Sequence, residues 1–158
     1  MQIIKYVLGL GSNIGDRSSH LQQAISRIDF LTDIKISTIY QSKALLPKDS
    51  DPSWDQDFLN LVLSGFSDLS PLQVLKACKQ IESHMGRPLS APRWSPRIID
   101  IDILLAGALV IDHVEKDGSI LCIPHKEMLN RNFVLLPAAA IEPTHIHPVT
   151  GKALKEYL

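Results

Sequence analysis

The chain has little cysteine, few aromatic residues and almost no net charge. Its 158 residues include two cysteines and 6% aromatics, and 16 Lys and Arg against 17 Asp and Glu give a formal net charge of −1. This balance gives no general signal for binding nucleic acid or acidic lipid. Cys78 and Cys122 lie in apolar patterns without metal-ligand spacing, which indicates small buried thiols in a reducing compartment.

Long hydrophobic runs and targeting segments are also missing. No apolar run reaches about 18 residues, so no membrane span is predicted. The first 13 residues, MQIIKYVLGLGSN, have neither a basic start nor a long apolar centre, and they indicate a first strand and not a signal peptide. We therefore expect a cytoplasmic protein. Its length and its 45% hydrophobic content predict one globular domain over residues 1–158.

The most informative segment present is PRIIDIDILL, residues 96–105. Its alternation predicts a β-strand, in which Asp100 and Asp102 share one face with Cα atoms about 6.6 Å apart. Paired carboxylates repel each other, and a hard cation such as Mg²⁺, completed by phosphates and water, would offset that cost. From the spacing alone, a solvated edge of the sheet explains the two aspartates equally well.

The order of predicted elements indicates an α+β fold, an α/β sandwich with a ferredoxin-like β-α-β-β-α-β core. The antiparallel sheet would carry both helices on one face. The predicted elements are a strand over 3–10, a helix from Asp16, a strand over 34–44, a strand over 58–66, a helix capped by Ser70 and stopped at Gly86, and the Asp100 strand. Two irregular stretches, 45–57 and 88–96, interrupt this order and are long enough to be functional loops.

A C-terminal extension follows Leu105. A hairpin is expected across Lys116-Asp117-Gly118, then a short buried helix over 131–141 interrupted at Pro137, then a tail that is mostly loop. The sheet face without helices would be left open. The Gly9-x-Gly11-x-x-x-Gly15 pattern matches no nucleotide-binding motif, and we interpret it as a tight strand-to-helix turn.

Basic side chains flank the aspartate strand and the irregular stretches. They are Arg87, Arg93, Arg97, His125 and Arg131. Guanidinium groups around a carboxylate pair suit a polyphosphate site with magnesium. Purely structural roles remain open for these and nearby residues. Arg87 would cap a helix C-terminus, His125 would be a structural residue, and Phe58 and Phe133 would be core anchors.

Taken together, the motifs resemble the 6-hydroxymethyl-7,8-dihydropterin pyrophosphokinase family. The matching segments occur in family order and are LGLGSNIGDR (8–17), DFLN (57–60), IE (81–82) with GR (86–87), RWSPRIIDIDIL (93–104), IPHKEMLNRNFVLLP (123–137) and EP (142–143). The resemblance covers most of the chain to about Pro148. It implies the ferredoxin-like fold and a magnesium-dependent diphosphotransferase of folate biosynthesis, which transfers pyrophosphate from ATP to the hydroxymethyl group of the pterin and releases AMP.

The resemblance also implies roles for individual residues. Asp100 and Asp102 would hold two Mg²⁺ ions, and Arg87 and Arg97 would act with them in catalysis. ATP would be bound by Glu82, Arg87, Trp94, Arg97, Ile103, His125 and Arg131. The pterin would be bound by Ser42, Leu45, Phe58, Asn60, Trp94, Asp100 and Phe133. Asp102 would also be placed to help remove the hydroxyl proton.

The sequence departs from the family pattern in its loops. Ser42-Lys43-Ala44 replaces a Thr-x-Pro, Leu89 stands where many members have a second loop arginine, and Lys126 replaces a common Tyr. Arg93 is a possible substitute for the missing arginine, and the segment 113–119 is slightly longer than usual. None of these changes touches the aspartate pair, so we expect an active enzyme with altered loop energetics.

Two other classes of protein are alternatives to an active enzyme. A ferredoxin-like RNA-binding or sensor module would show exposed aromatics on its central strands, which this chain lacks. A catalytically degenerate family member used only for binding would not need to keep Asp100, Asp102, Arg97, His125 and Asn60. We expect small-molecule partners, no nucleic acid or membrane, a monomer or weak dimer, and possible fusion to other folate-pathway domains.

Overall fold

The structure is a computed structural model that describes residues 2–86 and 96–158. Its helices and strands are β1 (Ile4–Ser12), α1 (Arg17–Arg27), β2 (Thr32–Ile36), β3 (Tyr40–Ser42), β4 (Phe58–Ser67), α2 (Pro71–His84), β5 (Asp100–Ala106), β6 (Ile111–Val114), β7 (Ile120–Ile123) and α3 (Asn132–Ile141). Short 3-10 turns lie at Pro52–Trp54 and Leu154–Tyr157. Among the described residues, no helix combines the length and apolar character needed to cross a membrane.

The main sheet has the strand order β2-β4-β1-β5, with every pair antiparallel and β3 added beside β4. This order confirms the ferredoxin-like core. Both predicted helix starts are confirmed, since the Asp16 side chain caps α1 and Ser70 forms a capping box with Gln73 at the start of α2. Apolar residues of α1 and α2 pack on one face of the sheet around Tyr6 and Leu8.

The opposite face is only partly open, contrary to the sequence prediction. Val7, Val62, Leu104 and Leu105 form a second core with α3 and the C-terminal tail. A bulge places Leu104 and Leu105 on this same face, because Leu8 pairs with Ile103 while Val7 pairs with Leu105. The other end of the face remains uncovered and forms the floor of a cleft.

Three local predictions of secondary structure were wrong. The expected strand over 34–44 is divided into β2 and β3. Ile36 pairs with Leu63 and Tyr40 pairs with Asn60, so the stretch from Ile36 to Tyr40 has one residue more than the stretch of β4 that it faces. Gly9 and Gly11 lie inside β1 and not in a turn. α3 continues through Pro137, which is buried, so tertiary packing outweighs the missing backbone donor.

The C-terminal extension contains more structure than the sequence indicated. The hairpin of β6 and β7 is confirmed, with Gly118 at φ +88° in its turn. The tail is mostly loop, as predicted, and it also has the turn at Leu154–Tyr157, which buries Leu154 against α3. Cys78 is buried as predicted and Cys122 is half-buried, and both are free thiols.

Candidate functional site

The candidate site is a cleft of about 590 Å³ at the open end of the sheet. Its walls come from β1, β3, β4, α2, β5, β7, the loops after β3 and β7, and the start of α3. The cleft brings together eleven of the predicted site residues: Ser42, Leu45, Phe58, Asn60, Arg97, Asp100, Asp102, Ile103, His125, Arg131 and Phe133. Residues that are up to 91 positions apart in sequence therefore line one cavity.

The two aspartates lie side by side on the cleft face of β5, as predicted. Their side chains keep 36% and 46% exposure for Asp100 and Asp102, respectively, while the isoleucines between and beside them are buried. β1 places Gly11 opposite Asp100 and Gly9 opposite Asp102. The missing side chains of these glycines leave the carboxylates open to the cleft.

The environment of Asp102 favours its protonated form when no cation is present. Burial in the cleft raises the pKa of Asp102, and the negative charges of Asp100 and Glu82 raise it further, while Arg131 and Lys79 act in the opposite direction. Since 46% of the side chain stays open to solvent, the rise is smaller than that of an enclosed carboxyl. The site therefore holds more negative charge than it can stabilise alone, which suits a cationic ligand.

Two basic residues approach the aspartates from either side. An Arg97 guanidinium nitrogen lies 3.9 Å from Asp100 Oδ1, and the arginine side chain is only 10% exposed. His125 Nε2 lies 4.0 Å from Asp102 Oδ2. His125 Nδ1 accepts a hydrogen bond from the Glu127 amide, so the ring proton of the neutral form is on Nε2. Burial and the charge of Arg131 lower the pKa of His125, which favours that neutral form at pH 7.

Glu82, on α2, lies at the outer edge of β5. It is 3% exposed, and its Oε2 accepts a hydrogen bond of 2.8 Å from the Ile101 amide. Because β5 is an edge strand, this bond occupies a backbone position where a neighbouring strand would otherwise pair. Glu82 was predicted to bind ATP, but it is not among the residues that line the cleft. Through the Ile101 amide, Glu82 contacts the backbone of the aspartate strand.

The opposite end of the cleft carries aromatic and amide groups. Phe58 begins β4, Phe133 lies in the first turn of α3, and both are half-buried at the cleft wall. Asn60 Nδ2 donates to the Tyr40 carbonyl at 3.2 Å and to Ser42 Oγ at 2.8 Å. The amide carbonyl of Asn60 faces Gly11. An Oδ1 fixed in this way is suited to accept a hydrogen bond from a flat heteroaromatic ring.

Sequence reasoning missed several residues that the fold brings to the cleft. Gly9, Gly11 and Asn13 come from β1 and the turn after it, and the lysines are Lys43, Lys79 and Lys126. Gly11 has a steric role, because a Cβ at this position would lie 3.1 Å from Asn60 Oδ1 and 3.3 Å from Phe58 Cδ1. The glycine spacing carried this signal, since residues two apart on a strand share a face.

Some predicted residues cannot be placed in the cleft. Arg87 and Trp94, and with them Leu89 and Arg93, lie outside the described residues. Their predicted roles in catalysis and in ATP and pterin binding therefore stay predictions.

The aspartate pair is chemically suited to a divalent cation. Carboxylate oxygens are the protein ligands that Mg²⁺ prefers, and Mg²⁺ usually takes one or two carboxylates with phosphate and water oxygens. Among the described residues, no group of three His, Cys, Asp or Glu side chains forms a complete metal cage. Asp100 and Asp102 with an open cleft above them fit a cation that is shared with a phosphate ligand.

Comparisons with known proteins agree on one family. The statistical model of 7,8-dihydro-6-hydroxymethylpterin-pyrophosphokinase matches residues 7–143. The chain is 41% identical over 151 residues to the 2-amino-4-hydroxy-6-hydroxymethyldihydropteridine pyrophosphokinase of Aquifex aeolicus, covering 95% of this chain and 88% of the relative. It is 37% identical over 147 residues to the Bacillus subtilis protein of the same name, covering 89% and 79%.

Other relatives are longer. A folate synthesis bifunctional protein of Chlamydia caviae is 42% identical over 146 residues, which are 91% of this chain but 32% of that protein. Among solved structures, the Plasmodium falciparum HPPK-DHPS triple mutant with SDX-DHP matches with a TM-score of 0.74 at 18% identity, covering 99% of this chain and 41% of that one. That likeness shows the fold. The family match and the two pyrophosphokinase relatives establish that this chain belongs to the 7,8-dihydro-6-hydroxymethylpterin-pyrophosphokinase family.

Proposed function

We propose that this protein is a magnesium-dependent pyrophosphokinase of folate biosynthesis. It would transfer the terminal pyrophosphate of ATP to the hydroxymethyl group of 6-hydroxymethyl-7,8-dihydropterin and release AMP. The observation that carries the proposal is that one cleft joins a carboxylate pair flanked by cationic and imidazole groups to a pocket of two phenylalanines and a fixed amide. The first arrangement suits a polyphosphate with its cation, and the second suits a pterin ring.

The phosphate end of the cleft lies around β5. Arg97, Arg131 and His125 would contact phosphate oxygens, and Lys43, Lys79 and Lys126 add positive charge at the cleft wall. Ile103 lies beyond the aspartates at the outer edge of the sheet, together with the apolar residues of β7. This apolar region is suited to the adenine base. The cationic groups stabilise charge on the transferring group, which is the main protein contribution in phosphoryl transfer.

The pterin end lies over β1, β3 and β4. Phe58 and Phe133 would hold the two faces of the ring, and Asn60 would accept a hydrogen bond from its edge. Ser42 fixes the Asn60 amide, and Leu45 is an exposed apolar residue at the wall of the cleft. Asp100 lies between the two ends. A pterin bound in this way would direct its hydroxymethyl group toward the aspartates.

Asp100 and Asp102 would hold two Mg²⁺ ions with the ATP phosphates. Bound there, the cations would neutralise phosphate charge and stabilise the attacking and leaving oxygens. In the transfer, the hydroxymethyl oxygen forms a bond to the β-phosphorus while the bond from that phosphorus to the oxygen of the α-phosphate breaks. AMP leaves, and the hydroxyl proton is lost toward the Asp102 side of the cleft.

AMP release from ATP and Mg²⁺, with and without 6-hydroxymethyl-7,8-dihydropterin, tests the proposal. Wild type should release AMP in a pterin-dependent manner and form one pterin diphosphate for each AMP. Asp102→Asn should lower turnover by about a hundredfold or more, because it removes charge from the cation site with little change of shape. Omission of Mg²⁺ should abolish turnover in both proteins.

Asp112→Asn is a matched control, since Asp112 is an exposed carboxylate on β6 that does not line the cleft. It should leave turnover within about twofold of wild type. ADP in place of AMP, or AMP release that ignores the pterin, would contradict pyrophosphate transfer. Equal loss in both asparagine variants would contradict a special role of the aspartate pair.

The proposal extends to the cellular location and the oligomeric state of the protein. We propose a cytoplasmic enzyme, since ATP and a reduced pterin are its substrates and both cysteines are free thiols. We also propose that residues 1–158 form one domain and that the protein is a monomer or a weak dimer. Relatives such as the Chlamydia caviae bifunctional protein place a matching segment within a longer chain.

A further inference from the structure

We propose that Asn13 is a positioning residue that fixes the chain segments leading into β4 and β5, and with them the cleft residues that these segments carry. The proposal rests on the proposed function, because it assigns the two ends of the cleft to pterin and to ATP. Asn13 follows β1 and was not among the residues that the sequence motifs assigned to the site. It is a buried polar residue at 2% exposure.

Asn13 makes three hydrogen bonds to two distant parts of the chain. Its amide donates to the Arg97 carbonyl at 3.0 Å, and its Oδ1 accepts from the Arg97 amide at 2.7 Å. Its Nδ2 donates to the Gln56 carbonyl at 3.2 Å. One buried residue therefore joins segments that are 41 residues apart in sequence.

The two segments lead directly into the functional strands. Arg97 precedes β5 by three residues and forms the 3.9 Å ion pair with Asp100. Gln56 precedes Phe58, the first residue of β4, by two. Arg17 adds a second tie by donating to the Asp57 carbonyl at 2.8 Å. Displacement of Asn13 would therefore shift a phosphate-binding arginine and an aromatic wall of the cleft together.

The chemistry of the contact explains why this position carries asparagine. The Arg97 amide needs an acceptor and the Gln56 carbonyl needs a donor, and a neutral carboxamide supplies both. Aspartate would keep the acceptor but could not donate to Gln56, and alanine would lose both side-chain bonds. The two ends of the Asn13 side chain can thus be tested separately.

The experiment compares Asn13→Ala, Asn13→Asp and Arg17→Met with wild type. The dissociation constants are measured for the pterin and for a non-hydrolysable ATP analogue with Mg²⁺, together with hydrogen exchange of the Arg97 amide by NMR. Asn13→Ala should weaken both ligands by about tenfold or more, because small misplacements of binding groups have large effects. Asn13→Asp and Arg17→Met should weaken the pterin more than the ATP analogue.

Arg97 amide exchange separates positioning from direct contact. It should be faster by about tenfold or more in Asn13→Ala, and near the wild-type rate in Arg17→Met. Ser64→Ala serves as a stability control, because it removes a buried hydrogen bond to Glu142 outside the cleft, and it should change neither dissociation constant.

Unchanged Arg97 exchange in Asn13→Ala, or dissociation constants within twofold of wild type, would overturn the positioning role. Failure of wild type to bind the pterin or ATP would instead refute the proposed function, while the Arg97 exchange would still decide whether Asn13 holds this segment.

Discussion

At the scale of single residues, the shape of the cleft depends on two glycines, which have no side chain, as much as on the side chains that line it. β1 passes beneath the cleft with glycine at positions 9 and 11, and each faces one of the aspartates across the strand pair. Asn60 and Phe58 occupy the space that a side chain at Gly11 would need. Flat ligands can therefore approach the sheet closely at this point.

Gly11→Ala should weaken pterin binding by about tenfold, with little effect on ATP. The added Cβ would lie 3.1 Å from Asn60 Oδ1 and 3.3 Å from Phe58 Cδ1, and displacement of either group removes a pterin contact. The dissociation constant of the pterin, measured by fluorescence titration, checks this prediction. Gly9→Ala is the matched comparison, since the nearest atoms to its Cβ would belong to the Leu104 side chain, at 3.4 Å or more. Equal effects of the two substitutions would refute the steric argument.

At the scale of elements, β5 is unusual because it carries the aspartates at the edge of the sheet. Its inner side pairs with β1, while its outer side makes non-strand contacts with other described residues. Glu82 accepts from the Ile101 amide, and the Leu104 carbonyl accepts from the His125 amide at 2.9 Å. These contacts fix the strand on both sides of Asp102, so α2 and the segment after β7 support the position of the aspartates.

Glu82→Ala should lower the free energy of unfolding by about 1–3 kcal/mol, because the buried Ile101 amide would lose its acceptor. Glu82→Gln keeps an acceptor oxygen and should lose less. Urea denaturation without ligands measures both. Lys79→Ala is the control for the ion pair, since Lys79 is 53% exposed and lies 3.9 Å from Glu82, and a change below about 1 kcal/mol is expected. A larger loss in Lys79→Ala than in Glu82→Ala would show that charge pairing, and not the amide contact, is what stabilises this region.

At the scale of the whole molecule, Glu142 links the C-terminal end of α3 to the sheet. Its Oε1 accepts from Lys5 Nζ at 2.9 Å, and its Oε2 accepts from Ser64 Oγ at 2.7 Å. Burial raises the pKa of Glu142, but the hydrogen bonds from Ser64 and Lys5 and the charges of Lys5 and Lys35 outweigh it and lower the pKa. Phe133 lies at the opposite end of the same helix, so this link contributes to the stability of the fold and not to the cleft wall.

Glu142→Gln should lower the free energy of unfolding by about 1–3 kcal/mol at pH 7. A carboxyl with a lowered pKa in the folded state contributes stability above its unfolded pKa and loses it as the pH falls through the folded value. The difference between wild type and Glu142→Gln should therefore shrink as the pH falls from about 5 toward 3. Denaturation at pH 7, 5 and 3.5 measures it.

Asp29→Asn is an exposed control, for which the difference from wild type should stay small at pH 7. A gap between wild type and Glu142→Gln that is constant or wider at low pH would contradict the assigned role of the Glu142 carboxylate.

Local sequence was sufficient where one pattern determined the outcome. Alternation placed Asp100 and Asp102 on one face of β5, and Ser70-Pro71 marked the start of α2. It was insufficient where two patterns competed. Pro137 predicted an interruption of α3, but burial of this residue favours a continuous helix. The extra residue between Ile36 and Tyr40 divides one predicted strand into two, which only pairing with β4 reveals.

The core topology, the aspartate pair and the motifs of the family could be predicted from the amino-acid order, because they depend on periodicity and on residues close together in the chain. Three features emerge only from the packed structure: Glu82 supports β5 from its edge, Gly11 leaves room for Asn60 and Phe58, and Asn13 joins two segments 41 residues apart. Such contacts depend on the register and packing of strands that are distant in sequence. No local pattern of residues specifies them.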